Sequence, residues 1–201
     1  MGERRGRRQS ARAGQTGHPE ADPQTGTDRT TEGQQVSVTP ETGSSKDATA
    51  VSEQLGRPAR GIRSIAHRCV CGLPDVVETE PRLPDGTPFP TTYYVTCPRL
   101  ASAIGTLEAD GVMKEMTDRL AEDEELAARY RSAHEDYLRR REALGDDVPE
   151  IKGISAGGMP TRVKCLHVLV GHSLAAGPGV NPLGDEALAM LPDWGRRGPC
   201  V

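Results

Sequence analysis

Aromatic residues are nearly absent from this chain, which has one Trp, one Phe and four Tyr in 201 residues. None occurs before Phe89. Over residues 1–60 the only sizeable apolar side chains are Met1, Val36, Val38, Val51 and Leu55. Such a segment cannot bury enough apolar surface to offset the roughly 1–2 kcal/mol per residue that ordering a backbone costs. It reads as a disordered tail, which leaves residues 61–201 as one folded domain of ordinary size. Long apolar runs are also missing. Nothing approaches the ~18 consecutive apolar residues that a membrane span requires, so no membrane is expected. The arginine pairs Arg4-Arg5 and Arg7-Arg8 are followed by no apolar stretch, so they do not form an export signal. The expected location is the cytoplasm.

A basic surface is lacking as well. Residues 1–60 hold nine Lys/Arg against eight Asp/Glu, and residues 61–201 hold sixteen against twenty-one. A folded part that is acidic overall is a poor match for a phosphate backbone, which makes nucleic acid an unlikely partner. Basic residues cluster only at Arg4, Arg5, Arg7, Arg8 and Arg12, in a segment that reads as a solvated tail.

The folded part shows a mixed pattern. Asp75–Thr79 and Thr91–Thr96 are β-branched and aromatic. Between them, Leu83-Pro-Asp-Gly-Thr-Pro88 is dense in turn residues. The two runs predict an antiparallel hairpin, and centring it on Asp85-Gly86 sets Cys97 opposite Pro74. Pro98 opens a helix in which Leu100, Ile104 and Leu107 share a face, and Gly111 stops it. Met113, Met116, Leu120, Leu126, Tyr130, Ala133 and Tyr137 predict one broken or two consecutive helices over 112–143. Thr161 caps a further helix running to about Ala176, and a short one follows near Asp185–Met190. Residues 61–68 read as a lead-in. The fold class is α+β: a small antiparallel hairpin packed against several helices.

All five cysteines, Cys69, Cys71, Cys97, Cys165 and Cys200, lie in the folded part. In a reducing compartment such thiols are metal ligands, redox groups or buried packing before they are disulfides. The hairpin brings Cys69 and Cys71 toward Cys97. Cys165 on the late helix completes a set of four, with His167 or His172 as a replacement ligand. Cys165 and His167 are two apart and can meet only if the helix is irregular there or begins after Thr161. Four such ligands suit zinc or, as thiolates, an iron–sulfur cluster. The competing view is that these are small buried hydrophobes. Cys200 reads as a solvent-near thiol, or as a further ligand should the chain fold back.

Two other functions are open. Ser155-Ala-Gly-Gly-Met-Pro-Thr-Arg-Val-Lys164 is a Gly-rich loop entering a helix, and Arg162 and Lys164 there would bind a phosphorylated or acidic small molecule. It lacks P-loop spacing. A noncatalytic role would use the helix over 112–143 to dock a protein partner of unknown identity.

Four stretches, Arg68–Pro74, Pro81–Pro90, Tyr93–Leu100 and Val163–His172, together resemble the bacterial family called domain of unknown function 501. The resemblance runs from about Ile62 to Val201. It implies a shared fold and adds no reaction.

Overall fold

A computed structural model describes residues 43–196 and 198–201. The expectation of disorder over residues 1–42 lies outside these. Within the rest of the expected tail the chain is ordered. Helix α1 (Ser45–Leu55) starts at a capping box: Asp47 N–H donates to Ser44 Oγ, and the Asp47 carboxylate accepts from Ser44 N–H. Gly56, at φ 63°, ends it in the left-handed conformation. Fully buried Val51 packs on Ile65 and Val77, and burial of such a side chain is worth about 2 kcal/mol. Order thus reaches well into the expected tail, because one small apolar face and good caps were enough to fix a helix.

The sheet has three antiparallel strands in the order β1 (Ile62–Arg68), β2 (Pro74–Thr79), β3 (Tyr93–Val95). The expected hairpin is β2–β3, with Val76 opposite Val95 and Val77 opposite Tyr94. Thr96 N–H donates to Asp75 O, so the register that faces Cys97 toward Pro74 holds. The segment read as a lead-in is strand β1. Its register against β2 shifts three times, and Ser64, Ile65 and Ala66 are buried in succession, which erases the alternation a strand normally displays.

Every residue of β2 is buried, since both sheet faces are covered. α1 lies on one. On the other sit α2 (Pro98–Ala109), α3 (Val112–Glu122), α4 (Glu124–Glu142), α5 (Leu166–Ala176) and α6 (Pro182–Met190), around a core of Val76, Leu100, Ile104, Met116, Tyr130, Tyr137, Leu166, Leu169 and Leu183. Asp123 separates α3 from α4 and caps the latter through Leu126 N–H. The apolar stripe of α3–α4 faces this core: Met116, Leu126, Tyr130, Ala133 and Tyr137 are all buried. α5 begins at Leu166, not Thr161, and Cys165 is its N-cap. α5 and α6 cross closely because both contribute glycine or small residues: a Cβ on Gly184 would lie 2.3 Å from the Leu169 carbonyl oxygen.

Candidate metal centre

β1 and β2 join through the tight turn Cys69–Leu73. Cys69 N–H donates to Leu73 O at 2.9 Å and Gly72 N–H to Cys69 O at 2.8 Å, with Gly72 at φ 85°. Val70 at the tip is 82% exposed, so its neighbours Cys69 and Cys71 turn inward. Cys97 is buried at the N-cap of α2, held there by the β3 register and by Pro98 in the first turn. The fourth thiol is Cys200. The C-terminal segment folds over the turn, with the Arg99 guanidinium donating to Gly198 O at 2.9 Å and the Trp194 indole to Asp75 at 3.4 Å.

Cys200 Sγ stands 3.4 Å from Cys71 Sγ and 3.6 Å from Cys69 Sγ, and these three sulfurs all lie within 4.8 Å of one another. Cys97 interacts with the Cys200 thiol and stands outside the group of three mutually close sulfurs. Burial raises the Cys200 thiol well above its ordinary range, and its contacts with Cys97, Cys71 and Cys69 add to that. Burial likewise raises Cys69. At Cys71 burial is outweighed by the Leu73 backbone amide and the neighbouring thiols, and its pKa falls. Neutral thiols packed this tightly compete for one negative charge, and a divalent cation removes that competition by displacing their protons.

Gly195 makes the approach possible. A Cβ there would lie 2.6 Å from Cys69 Sγ and 2.3 Å from a Val70 methyl. His67 Nδ1 donates at 2.7 Å to Asp75 Oδ1, a fully buried carboxylate beside the same turn. Together with Cys69 and Trp194 these line a cavity of ≈ 350 Å³. The spacing Cys-x-Cys announced the turn. Cys200, Gly195 and the His67–Asp75 pair carried no comparable signal, although the sole Trp six residues before a cysteine was a hint that the segment is packed.

Cys165 does not join the four. It stands with His167 and Glu108, their ligand atoms within 4.8 Å of one another. Glu108 Oε1 accepts Leu166 N–H at 2.7 Å and faces His167 Nδ1 at 3.2 Å. This docks the start of α5 near the last turn of α2, whereas Cys97 is at the other end of that twelve-residue helix, about 16 Å away along its axis. His172 is elsewhere again, fully buried in the core. Its Nε2 lies 3.0 Å from Asp136 and its Nδ1 3.3 Å from the Asn181 amide, and its ring stacks on Tyr93 at 5.8 Å. With Nε2 protonated toward the carboxylate, Nδ1 accepts from Asn181, and no lone pair is left for an ion.

Arg162 and Lys164 are exposed, and the loop before them is closed on itself. Arg162 N–H donates to Gly158 O, Lys164 N–H to Gly157 O and Val163 N–H to Thr117. Glu108 already occupies the N–H of Leu166, where an anion would sit. The amides expected to cradle a ligand therefore have acceptors within the chain.

The molecule is thus a small α+β domain whose sheet turn and C-terminal segment bring the thiols of Cys69, Cys71 and Cys200 together, with Cys97 interacting with Cys200. No helix among the described residues is long and apolar enough to cross a membrane. The chain belongs to the family described as "Protein of unknown function (DUF501)", which matches residues 65–189. No curated protein and no solved structure matches it.

Proposed function

We propose that this protein is a zinc-binding domain in which Cys69, Cys71, Cys97 and Cys200 hold one ion. The observation that carries this reading is the pair of sulfur separations, 3.4 and 3.6 Å, between Cys200 and the two turn cysteines. Zn–S bonds of about 2.3 Å in a tetrahedron put ligand sulfurs about 3.8 Å apart. An iron–sulfur cluster distributes its thiolates over several irons and needs a wider arrangement. The local hydrogen bonds also suit anionic sulfur: backbone amides of Cys71 and Leu73 are directed at the thiols of Cys69 and Cys71.

Four thiolates leave no open coordination position, so the ion would act as a staple and not as a Lewis acid. It would tie the end of the chain to the sheet turn. The test is elemental analysis with a visible spectrum on the purified full chain. One zinc per chain and no visible absorption fit the reading. Iron with visible bands would replace zinc by a cluster. A stably folded, metal-free protein would discard the centre altogether.

A further inference from the structure

The thiols proposed to hold zinc differ in how an oxidant reaches them. Cys69, Cys97 and Cys200 are buried, whereas Cys71 is partly exposed next to Val70, the tip of the turn. Cys71 Sγ also makes the shorter of the two contacts with Cys200 Sγ, 3.4 Å against 3.6 Å for Cys69. A disulfide is about 2.05 Å long, so joining Cys71 to Cys200 asks for a shift of about 1.4 Å. The backbone at Cys200 is free to make it. α6 ends at Met190, and no helix or strand follows it among the described residues.

The other pairings are less favoured. A bond between Cys69 and Cys71 would close across Val70 alone. It would bend a turn that two backbone hydrogen bonds hold, from Cys69 N–H to Leu73 O and from Gly72 N–H to Cys69 O. Cys97 stands outside the three mutually close sulfurs and is fixed at the N-cap of α2. Joining Cys71 to Cys200 would leave Cys69 and Cys97 as the remaining thiols, and two ligands are too few for a structural zinc site, which takes four. The new bond would enclose the same 129 residues that the ion encloses.

We propose that Cys71 and Cys200 are a peroxide-sensitive pair whose oxidation exchanges the zinc staple for a disulfide staple at the same place. This rests on the zinc reading above. The Cys71 thiolate attacks one oxygen of a hydroperoxide, so an S–O bond forms and the O–O bond breaks. The departing oxygen takes a proton from solvent and leaves as water. Cys200 sulfur then attacks Cys71 sulfur, the S–S bond forms and the S–O bond breaks. That oxygen also takes a proton and leaves as water. The two sulfurs together lose two electrons, and the peroxide gains them. The ion departs, and Cys69 and Cys97 take up protons in its place. The C-terminal segment stays tied to the sheet turn in both states.

The probe is hydrogen peroxide, added to the zinc-loaded full chain in the presence of a chromophoric zinc indicator. The expected result is one zinc released for each disulfide formed, with Cys71 and Cys200 as the linked pair. Cys69 and Cys71 share a tryptic peptide, so fragmentation in the mass spectrometer assigns the bond. The oxidised chain should melt within about 5 °C of the zinc form, while the reduced chain stripped by a chelator should melt roughly 10 °C lower. Reductant with added zinc should restore the starting state. Cys97→Ser, shown folded by circular dichroism, should still form the Cys71–Cys200 bond. Retention of zinc under peroxide, release with a different pairing, or an oxidised chain that melts as low as the stripped one overturns the exchange and leaves the zinc reading standing. A purified chain that takes up no zinc removes both.

Discussion

The sulfur of Cys71 stands 3.4 Å from that of Cys200, and 129 residues of chain separate them. A bond through a shared ion would close nearly the whole folded part into one loop, which restricts the unfolded chain far more than the folded one. Replacing Cys200 by Ser should therefore abolish metal uptake and destabilise the domain by roughly 3 kcal/mol or more. Inductively coupled plasma mass spectrometry and thermal melts, with and without a chelator, would measure both. A melt that neither the chelator nor the substitution moves would remove the staple.

Gly195 offers a gentler lesion at the same place. Adding a methyl in Gly195→Ala drives a Cβ to within 2.6 Å of Cys69 Sγ. Cysteine content is unchanged, yet metal affinity should fall by at least about tenfold, the size of effect typical of disturbing a ligand's support. A competition titration against a chromophoric chelator reads that directly.

Two other glycines should respond in opposite directions. Gly184→Ala places its Cβ 2.3 Å from the Leu169 carbonyl oxygen and forces α5 and α6 apart, so a loss of about 3 kcal/mol is expected. Gly105 lies inside α2, where an added Cβ would meet nothing within 4 Å, and Gly105→Ala should add about 0.5–1 kcal/mol through helix propensity. Urea denaturation of the two variants separates these outcomes.

The buried imidazole of His172 anchors Asp136, Asn181, Tyr93 and Tyr137 at once. His172→Ala would leave a cavity and strand the Asn181 amide, at a cost of about 3 kcal/mol. Burial lowers the His172 pKa despite Asp136, so the folded state resists charging it. The unfolded chain binds that proton below about pH 6.5. Stability should accordingly fall as pH drops through that value, and the fall should vanish in His172→Ala.

His167 has the reverse sign. Its pKa is raised to about 9, chiefly by Cys165. Its contribution is complete below about pH 6.5 and disappears as pH climbs through 9. The gap in urea midpoint between the native chain and His167→Gln should narrow over that window.

The hairpin was readable because its signals are local. Asp85-Gly86 and the β-branched runs beside it fixed a register good to one residue, and with it the position of Cys97. β1 escaped notice because its three register shifts bury Ser64, Ile65 and Ala66 consecutively. α1 was hidden in a polar stretch, although Ser44, Asp47, Val51 and Leu55 together spell a capped helix with one apolar face. The start of α5 was set at Thr161, whereas the helix begins after Cys165. That later start is the condition under which Cys165 and His167 can meet, and it sends Cys165 to Glu108 instead of to Cys97. Cys200 could not be placed from sequence, because its partners are joined to it only through packing of Trp194 and Arg99.

α1 lies wholly before the family match at residues 65–189, and Cys200 lies after it. A fragment trimmed to those limits would bare Ile65 and Val77 on one side and leave the turn thiols open to air on the other. Such a piece should stick to its own copies and oxidise, and any recombinant version of this domain needs to begin before Ser44 and retain Cys200.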